Sequence, residues 1–182
     1  MITGVVENKV YIGGGSNVGN RFENLMSAWL ALSEILEEPD FSSLWETMPL
    51  MFTDQPSFYN IVYSGIFRGS SFQLLSELHR IEALRGRNRS LEISKGPRTL
   101  DLDLLFFGSE VRQEDVLTLP HPGIRERAFV LYPLLELLPE DHPQYSVLTE
   151  SLEKNRDQGI ECIKKKTTDS SRFWISEETV NE

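Results

Sequence analysis

The chain has 182 residues, of which 40% are hydrophobic and 25% charged, and this balance predicts one globular domain with a substantial core. Its formal net charge of −10 argues against nucleic-acid binding over a broad surface, which normally requires a basic stripe. The single cysteine excludes an internal disulfide, and no stretch reaches the roughly 20 apolar residues of a membrane span. The start also lacks the apolar core of a signal peptide, so we expect a cytoplasmic protein.

Apolar spacing divides the chain into strands and helices. In chain order we predict a strand at 9–14, a helix at 20–37, an extended segment at 41–45, a strand at 58–67, a helix at 70–84, a strand from 101, and helices at 125–137 and 145–152. The order of the first six elements predicts a ferredoxin-like α+β fold, with a mainly antiparallel sheet and helices packed on its faces. We expect one domain over residues 1–160 and a polar C-terminal tail over 161–182.

Two segments interrupt the regular pattern. Residues 46–56 contain two prolines and several polar residues, which predicts a long loop, and such loops often carry function. The run from Gly13 to Gly19 is rich in glycine but fits neither the P-loop nor the dinucleotide-binding pattern. We interpret this run as a tight turn whose Ser16 or Asn17 helps to start the following helix.

Two carboxylates stand two residues apart in the apolar stretch from Gly96 to Gly108. Side chains alternate in an extended chain, so Asp101 and Asp103 face one way and the leucines between and beside them face the other. An ionised carboxylate is costly to bury without a cation or hydrogen-bond donors. The pair therefore predicts a site that holds metal ions or arginines.

Arg87, Arg89 and Arg98 cluster just before this acidic pair. Carboxylates that bind magnesium and guanidiniums that bind phosphate oxygens are the two halves of a site for a magnesium nucleotide. Two metal ions roughly 4 Å apart could share the aspartates. The alternative is an internal salt bridge between Arg98 and one aspartate.

A ring-binding site is a second hypothesis. Phe58 and Asn60 share a face of their strand, where an aromatic ring and a carboxamide could stack on a flat heterocycle and read its edge. The alternative is that Phe58 belongs to the core and Asn60 ends the strand. His121 lies between two prolines, which predicts an exposed side chain that could donate to a phosphate.

The run from Gly96 to Leu105, GPRTLDLDLL, resembles the signature of the 6-hydroxymethyl-7,8-dihydropterin pyrophosphokinases of folate biosynthesis. The resemblance covers roughly residues 9 to 140. Four more pieces agree in order and spacing: Tyr11-Ile12 with Gly15-Ser16-Asn17, Asp54-Gln55-Pro56 with Asn60, Arg80-Ile81-Glu82 with Gly86-Arg87, and Pro120-His121-Pro122 with Arg127 and Phe129.

The resemblance implies transfer of pyrophosphate from ATP to the hydroxymethyl group of the dihydropterin, with release of AMP, on a ferredoxin-like fold. It implies that Asp101 and Asp103 hold two magnesium ions and that Arg87 and Arg98 assist catalysis. The implied pterin contacts are Thr47, Leu50, Phe58, Asn60 and Phe129. The implied ATP contacts are Gln73, Glu82, Arg89, Arg98, Thr118, His121 and Arg127. The partners are then small molecules, ATP and the pterin, and the protein binds neither nucleic acid nor membrane.

The sequence also departs from the family pattern. Lys95 stands where many members carry an aromatic residue, and Val116 replaces an arginine often found near the Thr118 position. Both departures leave the aspartate pair intact. Two other functions stay open: a magnesium-dependent nucleotidyltransferase or cyclase on the same fold, and a non-catalytic domain that binds a heterocycle.

Overall fold

The computed structural model describes residues 7–48, 56–87 and 97–166. Its strands are β1 (Glu7–Ser16), β2 (Glu37–Phe41), β3 (Leu44–Thr47), β4 (Phe58–Arg68), β5 (Asp101–Phe107), β6 (Arg112–Gln113), β7 (Thr118–Leu119) and β8 (Ile160–Lys164). Its α-helices are α1 (Arg21–Ile35), α2 (Ser71–Leu84), α3 (Ala128–Leu137) and α4 (Tyr145–Lys154). A single 3-10 turn, Ile124–Glu126, precedes α3.

One antiparallel sheet organises these elements. Hydrogen bonds join five strands in the order β5-β1-β4-β3-β8, and β2 pairs with the other end of β4. Strands β2 and β3 together therefore act as one interrupted strand along β4. At the interruption Ser42 replaces the missing ladder, because its amide donates to the Val62 carbonyl and its hydroxyl accepts from the Val62 amide, both at 2.9 Å. Strands β6 and β7 form a separate small ribbon.

Helices cover both faces of the sheet. Helices α1 and α2 pack on one face, where Leu25, Leu32, Leu74 and Leu78 are fully buried against the strands. Helices α3 and α4 pack on the other face, in a second core that includes Leu131, Leu134 and Leu148. An irregularity in the β1–β5 register lets Leu105 and Phe106 both face this second core. The result is the predicted α+β plan.

Local signals explain where the helices begin and end. Helix α2 starts with a capping box, in which Ser70 and Gln73 each accept the backbone N–H of the other. Helix α1 ends at Ile35, before Pro39, and Pro39 lies in β2. The helix predicted at 20–37 therefore ends two residues earlier than expected. Within the described ranges β2 pairs with β4 alone, and proline is tolerated in strands that lack a partner on one side.

The C-terminal part of the described chain extends the sheet. Strand β8 pairs with β3, so the tail that we expected from residue 161 instead begins inside a strand. The ammonium group of Lys166 contacts the Asp40 carboxylate at 2.6 Å, and its amide donates to the Ser43 hydroxyl at 2.9 Å. The expected tail boundary is therefore wrong by at least six residues. The rest of the expected tail lies outside the described residues.

The four α-helices of the described ranges are 10 to 15 residues long. None of them combines the length and the apolar composition that crossing a membrane requires.

Candidate active site

The two aspartates lie together at the start of β5. Asp101 pairs with Gly15 of β1 and Asp103 with Gly13, so both carboxylates project from the same face of the sheet. This is the arrangement that the period of two predicts. The side chain of Asp101 is 20% exposed and that of Asp103 is 41% exposed. The pair is therefore open to a ligand while its strand is buried.

Among the described residues, Gly15 leaves a gap between the aspartates and β4. Gly15 pairs with Asp101 on one side and with Asn60 on the other. Within the described residues, a Cβ on Gly15 would come within 4 Å of only two atoms, the Asn60 Oδ1 at 3.7 Å and the Tyr59 carbonyl oxygen at 4.0 Å. We call this gap over Gly15, between Asn60 and Asp101, the trough.

The first part of the glycine run, Gly13 to Ser16, belongs to β1, so our interpretation of the whole run as a turn was wrong. The chain bends only after Asn17, where Gly19 has a φ of 67°. The strand continues to Ser16, and helix α1 is capped by Asn20, whose Oδ1 accepts the Glu23 amide at 3.2 Å. Glycine clusters occur far more often in turns than in central strands, which is why the pattern misled us.

A buried ion network holds Asp101. The guanidinium of Arg87 donates to the Asp101 Oδ1 at 2.5 Å and also contacts Glu82, and the Arg87 side chain is only 5% exposed. Arg98 donates to the other oxygen of Asp101, so the predicted salt-bridge alternative is present. Glu82 in turn accepts the Leu102 amide at 2.8 Å, which ties the end of α2 to β5. Two guanidiniums thus fix Asp101, and Glu82 holds one of them.

The environment shifts the two carboxyls in opposite directions. Burial raises the pKa of Asp101, but the charges of Arg98 and Arg87 outweigh it, so the pKa lies below its ordinary value of 3.8. Burial, followed by the neighbouring charge of Asp101, raises the pKa of Asp103, and nearby cations only partly oppose this. Asp103 is therefore the more basic member of the pair.

The turn before α3 closes the aspartate side of the site. The Nε2 of His121 lies 3.9 Å from the Asp103 Oδ2, and its Nδ1 accepts the Gly123 amide at 3.1 Å. Burial lowers the pKa of His121, and this outweighs the opposing charge of Asp103. The Arg127 guanidinium lies 5.9 Å from the centre of the half-buried Phe129 ring. An imidazole, a guanidinium and an aromatic ring thus come from one short segment.

Thr47 and Asn60 lie across the trough from the aspartates. The Asn60 Nδ2 donates to the Thr47 hydroxyl at 2.9 Å, and both residues are buried. Phe58 pairs with Thr47 in the sheet and is half-buried, so its ring is not enclosed in the core. The alternative that Phe58 is a core residue and Asn60 a strand end is wrong, since Asn60 lies inside β4.

Residues 11–139 match the family model described as 7,8-dihydro-6-hydroxymethylpterin-pyrophosphokinase. The chain belongs to this family. It is 36% identical over 137 residues to the 2-amino-4-hydroxy-6-hydroxymethyldihydropteridine pyrophosphokinase of Aquifex aeolicus, a match that covers 75% of this chain and 84% of that protein. The signature in residues Gly96 to Leu105 and the match to the family model thus indicate the same family.

Longer relatives and solved structures match as well. The chain is 42% identical over 159 residues to the folic acid synthesis protein fol1 of Schizosaccharomyces pombe, which covers 85% of this chain but 21% of that protein. It therefore spans about a fifth of the length of that relative. Wild-type HPPK-DHPS of Plasmodium falciparum matches with a TM-score of 0.62 at 15% identity, over 82% of this chain and 44% of that one. That likeness supports the ferredoxin-like fold, which is confirmed.

This family member carries one connection that the sequence did not predict. Asn17 accepts the Arg98 amide on its Oδ1 at 2.7 Å, and its own amide donates to the Arg98 carbonyl at 3.0 Å. Its Nδ2 lies 3.4 Å from the Pro56 carbonyl oxygen. Asn17 thus joins the segments on both sides of the site. Its place in a family motif was the available signal, but we assigned it to a helix start.

Some predicted residues lie away from this cluster or outside the description. Gln73 stands nine residues before Glu82 on α2, roughly 13 Å along the helix axis, and its side chain serves the capping box. The structure does not bring it to the aspartates, and its assignment to ATP stays a prediction. Thr118 lies on β7, and its hydroxyl is 3.4 Å from the Glu114 carbonyl oxygen. Leu50, Arg89 and Lys95 lie outside the described residues.

Proposed function

We propose that this chain transfers pyrophosphate from ATP to the hydroxymethyl group of 6-hydroxymethyl-7,8-dihydropterin and releases AMP, as a step of folate biosynthesis. The supporting observation is that the paired carboxylates of Asp101 and Asp103 stand beside Arg87 and Arg98 in a chain of this family. The cytoplasmic location stays a prediction from the composition.

The reaction breaks one bond of ATP and forms one to the pterin. The hydroxymethyl oxygen attacks the β-phosphorus, the bond from that phosphorus to the oxygen bridging the α- and β-phosphates breaks, and AMP leaves with the bonding electrons. The hydroxyl proton leaves that oxygen in the same transfer and passes to water. Such reactions depend on positioning and on charge stabilisation of the phosphoryl group. A trough with carboxylates and guanidiniums at one end suits both needs.

Arginines on this chain are suited to hold the phosphates. Arg87 and Arg98 neutralise Asp101, and the Nε of Arg98 is buried without a hydrogen-bond partner in the ranges that the structure describes. A buried N–H without an acceptor is costly, and a phosphate oxygen would satisfy it. We assign Arg87 and Arg98 to the transferring phosphates. Further nucleotide contacts are assigned to Glu82, Arg89, Thr118, His121 and Arg127, and Gln73 is omitted.

Magnesium fits the donors that the chain offers. The ion prefers oxygen ligands and commonly takes one or two carboxylates from the protein, with phosphates and waters completing its octahedron. Asp101 and Asp103 supply such carboxylates. The described ranges contain no cluster of three or more His, Cys, Asp or Glu side chains placed to hold a metal by themselves, so phosphates and waters would have to complete the coordination. When bound, the metal would neutralise phosphate charge and polarise phosphate oxygens. We propose two ions on this pair, the number that the resemblance implies.

The pterin is assigned to the other side of the trough. The amide group of Asn60 and the hydroxyl group of Thr47 can form hydrogen bonds with the polar atoms along the edge of a heterocycle. Phe58 and Phe129 would stack on its two faces, and the Leu50 backbone would complete the edge contacts. The hydroxymethyl group then points toward Asp101 and Asp103. The site thereby orders its two substrates on opposite sides of Gly15.

The nucleotide product tests this proposal. The protein is incubated with ATP, magnesium and 6-hydroxymethyl-7,8-dihydropterin, and the nucleotides are separated by chromatography. We expect AMP without free pyrophosphate. ADP would indicate an ordinary kinase, and free pyrophosphate a nucleotidyltransferase or cyclase. Absence of turnover would favour a binding domain, and each of these three outcomes contradicts the proposal.

Variants link the activity to the aspartate pair. We expect Asp103→Asn to lower turnover at least about 100-fold, because it removes a charge that would hold the metal at the reacting phosphate. The exposed Asp157, between α4 and β8, provides the control Asp157→Asn, which should keep the activity. Urea unfolding should give similar midpoints for both variants. Full activity of Asp103→Asn would refute the metal assignment.

A further inference from the structure

Glycine in the interior of a central strand is unfavourable and needs a reason. It loses more backbone freedom on folding than any other residue and offers no side chain to pack. Strand β1 has three such residues in a row, with neighbours on both sides. Two kinds of structural reason can require glycine: a backbone conformation with positive φ, or a close neighbour that leaves no room for a Cβ. The sign of φ and the space for a Cβ are known at each of the three positions.

Packing explains one of the three glycines. A Cβ on Gly14 would lie 2.7 Å from the Tyr63 ring, so the bulky and fully buried Tyr63 requires glycine there. A Cβ on Gly13 would lie 3.5 Å from the Leu105 side chain, which is ordinary contact. At that position a methyl group would pack under Leu105 and not enter open space.

Neither reason applies to Gly15. Its φ is not in the positive range, and a Cβ would approach only the Asn60 Oδ1 and the Tyr59 carbonyl, at 3.7 and 4.0 Å. The residue is half-buried although its strand is central. The fold would accept alanine at this position. The same holds for Gly13, but Gly15 is the one that lies between Asn60 and Asp101, so the trough beside it supplies a functional reason for glycine.

The neighbours of Gly15 indicate what that is. Asn60 and Asp101 are its two cross-strand partners, and side chains on one row of a sheet share a face. Two strand spacings separate Asn60 from Asp101, which is roughly 10 Å between their backbones. A bicyclic heterocycle with a one-carbon arm is of similar length. Such a molecule could contact Asn60 at one end and reach the carboxylates at the other only if no side chain projects from the strand between them.

We propose that Gly15 is a specificity-determining residue whose bare backbone leaves room in the trough for one edge of the flat substrate, between Asn60 and Asp101. The inference rests on the proposed function, since it takes the pterin as the occupant of the trough. A methyl group on Gly15 would push this edge away from Asn60 while the arm of the pterin still faces Asp101. The nucleotide phosphates, on the aspartate side, would be much less affected.

The test compares wild-type protein with Gly15→Ala and with Gly13→Ala as the matched control. Binding of the pterin is measured by calorimetry in the presence of magnesium and α,β-methylene ATP, which lacks the oxygen bridge that the reaction breaks. Binding of the ATP analogue alone, the KM for the pterin and urea unfolding midpoints are also measured. For Gly15→Ala we expect at least about a tenfold rise in the pterin Kd and KM, since one methyl in a binding pocket can change affinity this much.

The remaining readouts separate a steric effect from damage to the fold. Gly15→Ala should bind the ATP analogue within about twofold of wild type and unfold at an equal or higher urea concentration, since alanine in a strand costs less entropy. Gly13→Ala should keep the pterin Kd within about threefold, because its methyl contacts Leu105. Gly15→Ser, which adds a side chain of similar size, should show the same loss as Gly15→Ala.

Three results would overturn the inference. The first is an unchanged pterin Kd in Gly15→Ala, and the second is an equal loss in Gly13→Ala. The third is a lower unfolding midpoint in both Gly15 variants, which would give the glycine a structural role. Each Kd and each unfolding midpoint of a variant is compared with the wild-type value. Absence of pterin turnover and pterin binding in the wild-type protein would instead refute the proposed function, and this inference with it.

Discussion

A single side chain, that of Arg21, joins the two ends of the segment between β3 and β4. Arg21 of α1 donates to the Glu46 carboxylate at 2.9 Å, and to the Ser57 carbonyl and hydroxyl oxygens at 2.9 and 2.7 Å. Glu46 lies on β3, and Ser57 precedes β4. One guanidinium thus holds both stems of the segment between these strands.

The Glu46 carboxylate makes this contact sensitive to acid. The hydrogen bond from Ser57 and, after an opposing effect of burial, the hydrogen bond and charge of Arg21 lower the pKa of Glu46 below its ordinary value of 4.5. A carboxyl with a lowered pKa in the folded state stabilises the fold above its unfolded pKa and loses that contribution as the pH falls through its folded pKa. The contribution is therefore complete near neutral pH.

We predict that Glu46→Gln lowers the free energy of unfolding at pH 7 by roughly 1 kcal/mol or less, the range of partly exposed ion pairs. The difference from wild type should begin to shrink below about pH 4.5, where the carboxyl of the unfolded chain takes up a proton, and should vanish once the pH is below the lowered pKa of the folded state. Urea unfolding between pH 7 and pH 3 measures it. Glu34→Gln, on the exposed face of α1, is the control. A difference that stays constant with pH would contradict the prediction.

At the scale of elements, the sequence predicts those that carry their own signal. Helix α2 has an apolar stripe and a capping serine, and its observed bounds differ from the prediction by one residue. Strand β4 has a long run of aromatic and β-branched residues. Strand β8 has no such signal, because its side chains are only half-buried and its order depends on pairing with β3. Tertiary pairing of this kind is invisible in a local pattern.

The same distinction applies to the site. The common face of Asp101 and Asp103 follows from strand periodicity alone, and the structure has it. The trough depends on Gly15 lying between two particular partners, which is a matter of register across three strands. The capping role of Gln73 depends on where helix α2 begins. Registers and exact element ends were the parts that the sequence could not supply.

We predict that Gln73→Ala affects the helix and not the nucleotide. Its side-chain oxygen accepts the Ser70 amide at 2.8 Å, so the substitution should lower the free energy of unfolding by roughly 0.5–1 kcal/mol. The KM for ATP should stay at the wild-type value. Ser70→Ala, which removes the other half of the capping box, should behave in the same way. A raised KM for ATP in Gln73→Ala alone would return this residue to the nucleotide site.

At the scale of the whole molecule, the charge of the chain opposes its proposed co-substrate. The formal net charge is −10, and the triphosphate of ATP is itself strongly anionic. Arg87 and Arg98 provide local positive charge, but Asp101 already neutralises part of it. Binding of the nucleotide therefore needs further cations beside Asp101 and Asp103, which is the role that magnesium would fill.

This balance predicts that magnesium and the nucleotide stabilise the fold only together. A ligand at about 100 times its Kd adds about 2.7 kcal/mol to the free energy of unfolding, which in a protein of this size raises Tm by roughly 5–10 °C. We expect such a rise with α,β-methylene ATP and magnesium, followed by scanning calorimetry, and little rise with either alone or after a chelator is added. Asp103→Asn should lose most of the rise and Asp157→Asn should keep it, because only Asp103 lies in the pair. An equal rise without magnesium would show that the arginines alone offset the phosphate charge, and the metal assignment would then fail.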